Sequence, residues 1–96
     1  MLTSKQRAYL RSLGNSMDPV FQIGKGGITE ELITQLDNVL EKRELIKVRV
    51  LKNCPELPEE LAEQAGHALN ADVVQKIGRN FLLYRESLEN VVLELP

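Results

Sequence analysis

The segment Val20-Phe21-Gln22-Ile23-Gly24-Lys25-Gly26-Gly27-Ile28-Thr29-Glu30 constrains this chain more than any other. A strand-like run stops in a loop of three glycines and one lysine, and a helix start follows at once. Thr29 is placed to cap that helix, with Glu30 and Glu31 in its first turn favouring the dipole. A strand-to-helix junction of this kind points backbone N–H groups and one mobile cation outward, where a phosphate group can sit.

The flanking sequence predicts the elements around the junction. Thr3 and Gln6 have the spacing of a capping box, so a helix runs to about Leu13 and stops at Gly14-Asn15. Ile28, Leu32, Ile33, Leu36, Val39 and Leu40 repeat with the helical period behind the glycine loop. From Leu45 to Lys52 the pattern alternates, with Ile46, Val48 and Val50 on one face and Lys47 and Arg49 on the other. Pro58 suits the first position of a third helix reaching Asn70. Ala71 to Ile77 and Phe81 to Arg85 read as a hairpin around Gly78-Arg79-Asn80, and Val91 to Leu95 as a short edge strand. The order α-β-α-β-α-β-β predicts an α/β (α+β) fold with one four-stranded mixed sheet. Its first two strands, separated by a helix, should be parallel and its last two antiparallel.

At 96 residues the chain is expected to form a single domain over 1–96, with a modest core. One cysteine, Cys54, has no internal disulfide partner, and no run approaches the ~18 apolar residues of a membrane span. The expectation is a cytoplasmic protein without a membrane partner. The net charge of −2 conceals a segregation. Lys5, Arg7, Arg11 and Lys25 face only Asp18 over residues 1–29, whereas Glu56, Glu59, Glu60 and Glu63 stand together without a cation. A mildly acidic total is compatible with one basic face.

Four blocks then fall in a familiar order: Gln22-Ile23-Gly24-Lys25-Gly26-Gly27-Ile28-Thr29, Glu44-Leu45-Ile46-Lys47-Val48, Val74-Gln75-Lys76-Ile77-Gly78-Arg79 and Leu83-Tyr84-Arg85. Together with Lys5-Gln6-Arg7 and Leu10-Arg11, they resemble the CRM domain, the chloroplast RNA splicing and ribosome maturation domain, from about Leu2 to Arg85. The resemblance implies an RNA-binding module similar in fold to the C-terminal domain of bacterial translation initiation factor three, with a glycine loop like the GxxG loop of KH domains. A bare domain resembles the stand-alone bacterial type, associated with large-ribosomal-subunit precursors. The implied partners are ribosomal RNA and the pre-large-subunit particle. Neither a cofactor nor a small-molecule substrate is implied.

Taken alone, Gly24-Lys25-Gly26-Gly27 reads first as a plain turn. Beside the other blocks, RNA-backbone contact is the better reading: glycines let a sugar–phosphate chain approach, and Lys25 adds a point charge. The loop lacks the GxxxxGK[ST] pattern of a nucleotide-hydrolysing P-loop. Lys5, Arg7 and Arg11 on the first helix, with Lys47 and Arg49 on the second strand, extend the candidate surface, and Thr29 completes the loop. Arg79 and Arg85 leave two readings open, an RNA contact or an ion pair with neighbours such as Glu86 or Asp72. Tyr84 either stacks a base or packs half-buried. His67 reads as a surface residue and Cys54 as a small apolar filler, so no catalytic site is expected. An alternative function is a protein-interaction adaptor whose acidic helix or tail binds basic ribosomal proteins.

Overall fold

The structure, a computed structural model, describes residues 2–96. Helix α1 spans Ser4–Gly14, strand β1 Phe21–Ile23, helix α2 Glu30–Arg43 and strand β2 Leu45–Val50. Helix α3 spans Pro58–Leu69, and strands β3 and β4 span Asp72–Ile77 and Asn80–Tyr84. The sheet order is β1-β2-β4-β3, with β1 parallel to β2 and β3 antiparallel to β4, as the strand pattern predicts, and β4 also antiparallel to β2, a pairing the pattern left open.

The alternation in β2 decides which layer goes where. Ile46, Val48 and Val50 are fully buried against Leu36 and Leu40 of α2 and Leu61, Ala62, Ala65 and Leu69 of α3. Leu45, on the other face, joins Val74, Leu82 and Tyr84 beneath Leu10 of α1. The sheet is thus sandwiched, with two helices on one face and α1 plus the C-terminal tail on the other. Tyr84 lies in this second cluster, 5 % exposed, which settles it as core and not as a stacking platform. Burial raises its phenol pKa, and Glu44 nearby adds to the effect.

The capping box at Thr3 forms as its spacing predicts: Thr3 Oγ1 accepts from Gln6 N at 3.1 Å, and Gln6 Oε1 accepts from Thr3 N at 3.0 Å. The end of α1 differs from expectation. Gly14 belongs to the helix and is buried, and a Cβ there would stand 2.3 Å from Leu82 Cδ1. It is a close-approach glycine that lets α1 settle onto β4, where the sequence suggested only a stop.

Val91 to Leu95 does not form an edge strand. Residues 85–96 have no helix or strand, because α2 supplies acceptors for their backbone. Glu44, at φ 67° just beyond α2, is fully buried. Its carboxylate accepts from Ser87 N at 2.6 Å, Val92 N at 2.7 Å and Leu93 N at 2.6 Å. Glu41, one turn earlier, accepts from Ser87 Oγ at 2.5 Å, Leu88 N at 3.0 Å and Glu89 N at 3.1 Å. Burial pushes the Glu44 carboxyl up, but the three N–H donors outweigh it and hold the group below its ordinary value. The Ser87 hydroxyl and then the Leu88 and Glu89 amides do the same for Glu41. Leu93 and Leu95 are thereby laid against the outer core.

Candidate nucleic-acid interface

The glycine loop follows β1 as a tight turn. Gly27 N donates to Gly24 O at 3.0 Å, and Gly27 has φ +65°, a conformation that disfavours any side chain. Lys25 and Gly26 are exposed at its tip, and nothing lies within 4 Å of a Cβ built on Gly26. Thr29 caps α2, its Oγ1 accepting from Leu32 N at 3.1 Å, so its oxygen is committed to the helix. The loop therefore presents a bare backbone at its Gly26 tip and a cation directly ahead of a helix N-terminus.

Register places the remaining basic residues relative to that loop. Gln22 pairs with Arg49 and Arg49 with Asn80, so a polar row crosses the outer sheet face one residue below the loop, with Lys47 two residues further down β2. Among the described residues Lys25, Lys47, Arg49 and Lys52 enter no side-chain hydrogen bond or ion pair, and all but half-buried Lys47 are exposed. Among the described residues Lys5 is likewise exposed and without a partner, and Arg11 is half-buried.

Three arginines of the sequence-derived set are tied to the protein's own acceptors. Arg7 Nη1 donates to Val73 O at 2.7 Å and Val74 O at 3.2 Å, carbonyls at the bulge in β3. That bulge lies at the end of β3 away from the Gly78 turn, so the first turns of α1 sit at the β3 edge, apart from the glycine loop. Arg79 donates from Nε to Val50 O at 2.8 Å and from Nη2 to Leu51 O at 2.7 Å, clamping the end of β2 to the hairpin turn. Arg85 pairs with Asp37 on α2, Nη1 to Oδ1 at 2.6 Å, and not with Glu86 or Asp72. It also donates to Leu69 O at 3.0 Å and lies beyond β4, at the opposite end of the sheet from the loop.

The β2–α3 loop, residues 51–57, is a neighbour the sequence reading left out. A Cβ on Gly24 would meet Asn53 Oδ1 and Leu51 Cδ1 at 3.5 Å, and a Cβ on Gly27 would meet Glu56 Oε1 at 2.7 Å. The signal lay in the parallel pairing itself. Parallel strands end on the same side of a sheet, so the segment after β2 had to flank the segment after β1.

The fold, the loop and the order of its blocks point to one family, and the model of the CRS1 / YhbY (CRM) domain matches residues 2–85. The chain belongs to the CRM domain family. Over all 96 residues of both chains it is 47 % identical to the probable RNA-binding protein YqeI of Bacillus subtilis. It is 34 % identical to an RNA-binding protein of Haemophilus influenzae over 95 residues, 99 % of this chain and 95 % of that one. The solution structure of a hypothetical Staphylococcus aureus protein proposed to bind RNA superposes with a TM-score of 0.82, at 55 % identity and complete coverage of both chains. The CRM match thus takes in every strand and helix described above and stops where the carboxylate-bound tail begins.

Proposed function

We propose that this CRM-domain chain is a non-catalytic RNA-binding protein that holds ribosomal RNA in precursors of the large ribosomal subunit, in the cytoplasm. The observation that carries the reading is the Gly24–Gly27 turn ahead of α2, with Lys25 and Gly26 exposed at its tip and Lys25 unpaired among the described residues. In the KH-like manner, the loop clamps sugar–phosphate backbone and leaves base choice to other contacts. Lys47, Arg49 and Lys52 continue the grip, while Lys5 and Arg11 on α1 meet a more distant stretch of a structured RNA. Arg7, Arg79 and Arg85 act by holding the scaffold. RNA-binding relatives along the whole chain support the partner class.

Binding to tiled transcripts of large-subunit rRNA, measured against salt, tests this. With about six phosphates neutralised, log affinity should fall with log salt at a slope of about −4 to −5. Lys25→Glu with Arg49→Glu should abolish binding while the melting temperature holds. Unchanged affinity in the folded double variant, with capture of basic ribosomal proteins instead, would transfer the function to the acidic α3 surface.

A further inference from the structure

Glu56 is an acidic residue in the wrong place for a phosphate site. Its Oε1 stands 2.7 Å from the point where a Cβ on Gly27 would be. Among the described residues it is exposed and enters no hydrogen bond or ion pair. Neither packing nor capping accounts for it. Gly27 is bare because of its φ of +65°; the carboxylate beside it is the free end of an exposed side chain and can move.

We propose that Glu56 is an affinity-setting guard of the glycine loop: its carboxylate occupies the approach to Gly27 that a backbone phosphate needs, and RNA must swing it aside to bind. The inference rests on the RNA-binding reading above. A full negative charge a few ångströms from the incoming phosphate repels it, and Glu56 stands between exposed Pro55 and Leu57, which leaves the side chain room to swing away. Asn53, against Gly24 on the same loop, is uncharged and imposes no such barrier. The site is thereby biased toward weak, readily reversed capture, with Lys25 attracting the chain and Glu56 opposing it.

Glu56→Gln keeps size and shape and removes the charge. It should tighten binding of the tiled large-subunit rRNA transcripts by about three- to ten-fold at low salt, the size expected for two unit charges a few ångströms apart in water. The gain should shrink as salt screens the pair. Glu86→Gln makes the same change in net charge at the far end of the sheet and should leave affinity within about two-fold, since the Coulomb interaction falls with distance from the loop. Equal affinity of Glu56→Gln and the unsubstituted chain, or an equal gain in Glu86→Gln, overturns the guard while leaving RNA binding intact. Weaker binding by Glu56→Gln also overturns it, by making the carboxylate an acceptor for RNA. If neither the unsubstituted chain nor Glu56→Gln binds any transcript, the RNA-binding reading fails first and the guard falls with it.

Discussion

The Glu44 carboxylate and the Leu93 amide, 49 positions apart, meet at 2.6 Å. A buried acid at the exit of α2 thus organises the last segment of the chain, doing for an irregular tail what a neighbouring strand does in a sheet. Removing the acceptor leaves the amides of Ser87, Val92 and Leu93 without their partner. Glu44→Ala is expected to cost about 2–3 kcal/mol in urea denaturation, as for other charge-assisted bonds. Hydrogen exchange at Val92 and Leu93 should rise in parallel. Unchanged protection of those two amides would count against the latch.

The same carboxylates set an acid limit. In the unfolded chain Glu41 and Glu44 titrate near the ordinary 4.5, and in the folded chain both lie lower. The native state therefore binds fewer protons than the unfolded state in that interval. The stabilisation is complete above the unfolded value and lost as pH falls through the folded values. Denaturation midpoints measured from pH 6 down to pH 3 should decline below about 4.5, and Glu41→Gln/Glu44→Gln should flatten that decline.

Gly14 offers a test of close approach against helix propensity. Alanine would improve the helix by about 1 kcal/mol, but its methyl group would collide with the buried Leu82 side chain. Overpacking in a full core costs about 1–3 kcal/mol, so Gly14→Ala should be destabilising on balance. In the Leu82→Ala background the same substitution should become favourable. A stabilised Gly14→Ala single variant would show that α1 has room to move.

Arg79 is expected to act on stability, not affinity. Its two bonds to Val50 O and Leu51 O hold the hairpin turn to the end of β2. Arg79→Ala should lower stability by about 1–3 kcal/mol in urea. Arg79→Lys should recover only part of that, because an ammonium lacks the planar fork that spans two carbonyls. Under conditions where both variants are folded, affinity for the rRNA transcripts should stay within about two-fold; a larger loss would return the guanidinium to the RNA surface.

What was legible in the sequence was local or periodic. The Thr3–Gln6 capping box, the alternation of β2 and the hairpin around Gly78-Arg79-Asn80 each carry their geometry within a few residues, and each formed, the turn closing at Gly78-Arg79 because Asn80 already pairs with Ile77. The glycine turn was equally legible, since the absence of side chains is a property of Gly24, Gly26 and Gly27 themselves and lets Gly27 take its φ of +65°. Partnerships across long separations were not. Arg7, Arg79 and Arg85 find acceptors 66, 29 and 48 residues away, and nothing in an arginine's own neighbourhood announces which carbonyl it will meet. The tail misled for a related reason. Val91 to Leu95 offers the same apolar pattern whether its amides are met by a strand or by Glu44.

The carboxylate latch also bears on how RNA contacts are to be mapped. Trimming the polypeptide from its carboxyl end past Leu93 would strip donors from a buried anion before any basic residue was touched. Nested deletions would then report collapse of the scaffold as though it were loss of ligand, whereas single charge reversals at Lys25 or Arg49 leave that scaffold whole.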